Sequence, residues 1–207
     1  MRITWSSTSP FVRKVIVFAV ETGLDARIER VPVKTTPTTP SAELSRYNPL
    51  TKLPALQTDE GTWLYDSPVI CEYLDTLHAG MPLIAREGAE RFEVLRLQAL
   101  SDGLVEAGLL CRYESLRPPA HAWHVWTESQ RGKVERALDA LEVEALDGRH
   151  FSPARLHLGQ IAVACALGWL DFRQVAGDFR VNRPNLAKWY MQFSARPSMT
   201  TTVPHDE

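Results

Sequence analysis

The apolar pattern changes character near residue 80, and that change limits what the chain can fold into. Before it, short alternating stretches are interleaved with helical ones; beyond it, almost every signal has a helical period. Arg2 to Trp5 suits a first strand. Pro10 to Thr22 suits a helix that is apolar around most of its circumference, and Gly23 can stop it in a left-handed conformation. Arg27 to Val33 alternates as a second strand. Lys34 to Pro40, with four threonines and two prolines, has the composition of a loop. Ser41 to Tyr47 fits a short helix. After the irregular Asn48 to Pro54 come a strand over Ala55 to Thr58, a turn at Asp59-Glu60-Gly61-Thr62 and a strand over Trp63 to Tyr65. Ser67 then predicts an N-cap and Pro68 a first helical residue, ahead of a buried stripe of Val69, Ile70, Tyr73, Leu74 and Leu77.

The remainder is helical. One long segment runs from Glu87 to about Leu116 and ends before Pro118-Pro119, which cannot continue a helix. Thr127-Glu128-Ser129-Gln130 has the form of a capping box before a stripe of Val134, Leu138, Leu141 and Ala145. Ile161 to Leu170 predicts a buried third helix, and Pro184 to Ala195 a fourth. The expected organisation is a mixed sheet-and-helix unit over 1–78, a linker over 79–86 containing Gly80 and Pro82, and an all-helical bundle over 87–207.

Hydrophobic residues make up 44% of the 207 and charged residues 23%, the balance of a globular protein. A net charge of −2 without a basic tract argues against nucleic acid and against a membrane surface as partner. The longest apolar run, Ile161 to Leu170, is shorter than the roughly 18 residues a membrane span needs. No secretory leader pattern precedes the first strand, so a cytoplasmic location is expected. Cys71, Cys111 and Cys165 are odd in number and far apart, the arrangement of buried thiols rather than of a disulfide framework or a zinc site. His121 and His124 have a spacing that metal sites use. They follow two prolines with no suitable third ligand nearby, so a solvated loop and no metal are expected.

One local feature carries chemistry. Ser9 directly precedes Pro10 at the start of the first helix, a hydroxyl N-cap followed by the residue best suited to the first helical position. The unpaired N–H groups and the positive dipole end there favour an anion, be it thiolate, phosphate or carboxylate. Taken singly, Ser9 and Ser67 could be no more than helix caps.

Three segments in order carry a family resemblance: Ser9-Pro10-Phe11-Val12, then Asn48-Pro49 with Lys52-Leu53-Pro54, then Asp66-Ser67-Pro68 leading into Ile70-Cys71-Glu72-Tyr73-Leu74-Asp75. With the strand-helix-strand, loop, strand-strand-helix order and the bundle behind it, the chain resembles the cytosolic glutathione S-transferases over essentially its whole length, and among them the bacterial members with a serine at the thiol. The resemblance implies a thioredoxin-like N-terminal domain followed by an all-helical domain, with glutathione as co-substrate in a groove. It implies a cis peptide before Pro54 that aims the backbone N–H and C=O of Leu53 at the cysteinyl backbone of glutathione, as an added strand would. Ser67 and Asp66 would hold the γ-glutamyl carboxylate and ammonium, and Lys52 would approach the glycine carboxylate. Relatives mostly carry Glu or Gln where Asp66 stands.

Ser9 would donate to the glutathione sulfur. A free thiol titrates near pKa ~8.5, so a hydrogen bond above a helix N-terminus raises the thiolate fraction available to attack an electrophilic small molecule. Serine at this position favours conjugation, and so detoxification, over the disulfide exchange that a cysteine would support. The alternatives are a non-catalytic interaction or stress protein on the same fold and a glutathione-dependent reductase or isomerase. Ser6, Ser7 and Thr8 are alternative hydroxyls. The electrophile pocket is expected among Leu104, Gly108, Arg112, Tyr113 and Trp169, several of which fit core packing equally well, and the family implies a symmetric homodimer. Where relatives open the buried bundle helix with Ser or Thr and Asp, this chain has His157 and Gln160, and His157 is expected to be the poorer cap.

Overall fold

The structure, a computed structural model, describes residues 1–206. The first strand β1 (Arg2–Trp5) leads into α1 (Pro10–Glu21) and returns as the parallel strand β2 (Glu29–Pro32). Strands β3 (Leu56–Gln57) and β4 (Trp63–Leu64) add antiparallel neighbours, giving the order β2-β1-β3-β4, and α2 (Ser67–Leu74) follows. The bundle comprises α3 (Gly88–Ser115), α4 (His124–Asp147), α5 (Leu158–Arg173), α6 (Pro184–Ser194) and the short α7 (Pro197–Thr200). The thioredoxin-like and all-helical halves expected of the sequence are both present.

Several boundaries move for local reasons. The second strand is shorter than the alternating run, because Asp25–Arg27 forms a 3-10 turn; the Val33 N–H still reaches the Trp5 carbonyl at 2.8 Å. Ser41 to Tyr47 yields only a 3-10 turn at Leu44–Arg46, with the Ser41 hydroxyl accepting from the Leu44 N–H ahead of it.

Helix α4 begins at His124, one turn before the predicted box. Buried Glu114 accepts the Trp123 N–H at 2.8 Å and holds the chain in position to start there. Thr127 therefore lies inside the helix and donates to the Trp123 carbonyl instead of capping.

His157 is a better cap than the sequence suggested. Its Nδ1 accepts the Gln160 N–H at 3.4 Å, and Gln160 Oε1 accepts the His157 N–H at 3.3 Å, a complete reciprocal box. Its other ring nitrogen faces the His150 carbonyl at 3.0 Å, which fixes the tautomer.

Helix α5 is the axis of the molecule, with every residue from Leu158 to Leu170 buried. Each fully buried leucine there contributes about 1.5–3 kcal/mol. On α3, Gly108 lets the facing helix approach: a β-carbon would lie 2.8 Å from Trp169 Cζ3. Between the halves, buried Asp75 accepts the N–H groups of Leu83 and Ile84 at 2.8 and 3.2 Å, which pins the connecting segment to the end of α2. Among the described residues, no helix is long and apolar enough to cross a membrane.

Candidate active site

The sheet register assembles the three motif segments. Ile3 pairs with Leu56, and Leu56 pairs with Leu64. Continued by two residues, the same register sets Trp5, Pro54 and Asp66 side by side at one end of the sheet. Neighbouring strands lie about 4.8 Å apart, so the row from Trp5 to Asp66 spans about 10 Å. Ser9, Leu53 and Ser67 all belong to the segments that emerge from this row.

At the first position, Ser9 caps α1 as expected. Its Oγ accepts the Val12 N–H at 3.3 Å, and its own hydrogen has no acceptor among the described residues. The neighbouring hydroxyls have partners: Ser6 and Thr8 face each other at 3.1 Å, and Ser7 donates to the His205 carbonyl at 2.7 Å. Ser7 is thus turned toward the tail, while the Ser6–Thr8 pair uses one of its two hydroxyl hydrogens and leaves the other, like that of Ser9, without an acceptor among the described residues.

At the second position, the Leu53–Pro54 peptide is cis. The turn before it is built by Asn48, whose amide donates to the Lys52 carbonyl at 2.9 Å and accepts the Leu50 N–H at 3.0 Å. Thr4 clamps the far side, its hydroxyl accepting the Ala55 N–H at 2.7 Å. Between these anchors the Leu53 N–H and C=O have no partner among the described residues, which leaves a short open strand edge. The Lys52 side chain is exposed and makes no ion pair among the described residues.

At the third position the capping differs from the prediction. Asp66, not Ser67, is the N-cap, and the Tyr65–Asp66 peptide is cis. Ser67 is the first helical residue and is buried, while Asp66 is exposed and its carboxylate makes no cap hydrogen bond. An exposed carboxylate and a helix-start hydroxyl therefore stand together, able to meet an ammonium and a carboxylate on one ligand.

A charged pair that sequence reasoning missed lies behind this row. Lys14, in a helix of apolar neighbours, is buried and approaches both carboxylate oxygens of Asp102 on α3 at 2.7 Å. Burial raises the Asp102 carboxyl above its ordinary value even with the ammonium beside it, and Asp66 adds to the rise. The one signal was a lysine placed among valines. Arg13, its neighbour, is also buried and holds the chain's last turn, through the Met199 carbonyl at 3.0 Å and the Thr202 hydroxyl at 3.3 Å.

Of the residues expected to line an electrophile pocket, Leu104, Gly108 and Trp169 are core, with Gly108 packed against Trp169. Arg112 and Tyr113 reach the surface. Cys71, Cys111 and Cys165 are all free and buried. Burial pushes Cys71 up to about 12 and Cys165 up to about 11, so neither is a thiolate at neutral pH. His121 and His124 are exposed, and no group of three or more metal-ligating side chains comes together among the described residues. Two surface hollows, of about 270 and 320 Å³, lie at Glu114, Arg117, Trp123 and Trp126 and at Glu72, Asp75 and Arg91; neither touches Ser9, Leu53 or Asp66.

Comparison with known proteins follows the same division of the chain. Residues 8–77 match the family model for the glutathione S-transferase N-terminal domain, and 125–190 the model for the C-terminal domain. An uncharacterised GST-like protein, YibF of Escherichia coli K12, is 35% identical across 99% of this chain and 98% of its own length. A glutathione transferase family member from Pseudomonas fluorescens Pf-5, solved with bound glutathione, superposes with a TM-score of 0.94 at 44% identity, covering 99% of both chains. A second structure of a family member from that organism, holding S-(propanoic acid)-glutathione, gives a TM-score of 0.89 at 42% identity over the whole of both chains. The fold, the domain matches and the full-length likeness agree: the chain belongs to the glutathione S-transferase family.

Proposed function

We propose that this protein is a glutathione transferase that binds the tripeptide across the row of Ser9, Leu53 and Asp66–Ser67 and activates its thiol for attack on an electrophilic carbon. The observation that carries this reading is the open hydroxyl of Ser9, set above a helix N-terminus in the segment that leaves one end of that row, with an exposed carboxylate at the other end. The Leu53 N–H and C=O pair with the cysteinyl backbone, Asp66 meets the γ-glutamyl ammonium, and Ser67 with the first amides of α2 meets its carboxylate. Lys52 is available to the glycine carboxylate. The glutathione-bound relatives, at 44% and 42% identity, support the ligand, and the conjugate in one of them has its substituent on sulfur.

In the reaction, the Ser9 hydroxyl donates to sulfur and lowers the thiol pKa, each unit being worth about 1.36 kcal/mol. The thiol proton passes to solvent. The thiolate lone pair forms the new C–S bond as the leaving group departs with its electron pair, or adds to an activated double bond that then takes a proton. Ser9 forms no bond to substrate; the protein supplies proximity and charge stabilisation.

We also place the protein in the reducing cytoplasm, where its three free thiols persist. It acts as a symmetric homodimer, in which exposed apolar side chains such as Val69 on α2 and Phe92 on α3 are covered. Sedimentation velocity tests the dimer. Calorimetry with glutathione and conjugation of a chloro-nitroaromatic by wild type and Ser9→Ala test the rest. Ser9→Ala should still bind glutathione while losing about a hundredfold in kcat/KM, as when one donor to a developing anion is removed. A mutant with full activity sinks the role given to Ser9, and a wild type that takes up no glutathione leaves a non-catalytic interaction protein.

A further inference from the structure

Residues 196–206 run back along α1 in reverse order. At the far end, Arg196 and Ser198 hold Glu21, with the guanidinium at 2.8 and 2.7 Å from its two oxygens and the hydroxyl at 2.5 Å. In the middle, Arg13 holds the Met199 carbonyl and the Thr202 hydroxyl. At the near end, the Ser7 hydroxyl donates to the His205 carbonyl at 2.7 Å, and Arg173 fixes Asp206 at 2.9 Å. Twelve helical residues rise about 18 Å, so these contacts follow α1 over its full length to the loop that precedes Ser9.

That loop is closed on itself. The Ser9 N–H donates to the Ser6 carbonyl at 3.3 Å and the Thr8 N–H to the Ser6 hydroxyl at 3.4 Å. Ser7 stands at its apex, buried, with its side chain turned away from the row and toward the tail. Moving the loop tips the Ser9 cap, and a donor that must reach a thiolate loses its effect over fractions of an ångström.

We propose that this tail is a strap that sets the thiol-facing loop, and that Ser7 is a positioning residue acting through the His205 carbonyl. The inference rests on the transferase reading given above. Ser7 touches neither glutathione nor electrophile; its work is to keep the Ser9 hydroxyl on the sulfur.

The test uses the full chain as wild type, Ser7→Ala and Ser7→Thr. Hydrogen exchange over residues 6–9 and 199–206 reads the strap without any ligand, and should quicken in Ser7→Ala and return toward wild type in Ser7→Thr. Glutathione affinity should stay within about twofold, while kcat/KM falls about tenfold and the pH profile of conjugation shifts upward, as the thiol loses its donor. Threonine should restore rate and profile. Unchanged exchange in Ser7→Ala, or an unchanged pH profile, overturns the inference, as does a loss that threonine fails to rescue. A wild type that binds no glutathione overturns the transferase reading and this inference with it. A wild type that binds and turns over beside an identical Ser7→Ala overturns this inference alone.

Discussion

The Lys14 ammonium lies 2.7 Å from each carboxylate oxygen of Asp102, joining the helix that starts at Ser9 to the long helix of the bundle. Lys14 keeps 2% of its side chain exposed and Asp102 20%, so loss of either partner strands a charge that water barely reaches. Lys14→Met should cost about 3 kcal/mol in urea denaturation, and the double variant Lys14→Met with Asp102→Leu should recover most of it. A double variant no more stable than the single one would show that the pair itself, rather than the stranded charge, carries the energy.

His157 gives the fold a pH dependence with a fixed sign. Burial lowers its pKa from 6.5 to about 4, against a smaller opposing effect from the His150 carbonyl. Above pH 6.5 the ring is neutral in both the folded and the unfolded chain, and its cap is fully effective. Between 6.5 and about 4 the unfolded chain takes up the proton first, so stability falls as pH falls, by about 3 kcal/mol in all. His157→Asn keeps a capping acceptor without that titration and should flatten the slope in thermal melts between pH 7 and 4. Parallel slopes in the two proteins would count against the assignment.

Gly168 is required by its neighbours rather than by its backbone. A β-carbon there would meet the Arg13 guanidinium and the Tyr190 hydroxyl. Gly168→Ala should lower stability by about 2 kcal/mol through overpacking and should loosen residues 199–202, which Arg13 holds. Chemical denaturation with hydrogen exchange reads both effects, and a variant as stable as wild type would mean that Arg13 has room to move.

The buried thiols should be silent in the folded protein. With Cys71 and Cys165 pushed up to about 12 and about 11, a disulfide reagent at neutral pH should modify neither until denaturant is added, when all three cysteines react. Rapid native labelling of Cys71 would count against its burial in solution.

Local chemistry was legible in the sequence wherever a short segment decides it. A serine before a proline defined the α1 start, and the stretch Ala55 to Thr58 ahead of its turn located β3. Reading failed where a contact distant in sequence prevailed. Glu114 starts α4 at His124, ahead of a box whose residues fit the pattern but not the position. The cap at α2 falls on Asp66, one residue before Ser67. Lys14 finds its partner 88 residues away and Ser7 finds its own 198 away, distances over which no periodicity operates. For Leu104, Gly108 and Trp169 the sequence left lining and core packing equally open, and the meeting of α3 and α5 decides for the core.

On the transferase reading proposed above, the row of Trp5, Pro54 and Asp66 would make ligand recognition a matter of counting. Strand β4 reaches that row through a turn of fixed length, residues 58–62, closed by the Thr58 N–H on the Thr62 carbonyl. Deleting one residue there would slide Asp66 by about 3.3 Å and turn it to the opposite face of the sheet, while β1 keeps Ser9 in place and Thr4 keeps Leu53. Such a protein would keep its core and still offer its hydroxyl to a sulfur, yet have no hold on the far end of the tripeptide. In such a complex, the length of this exposed hairpin would decide the ligand together with the side chains that touch it.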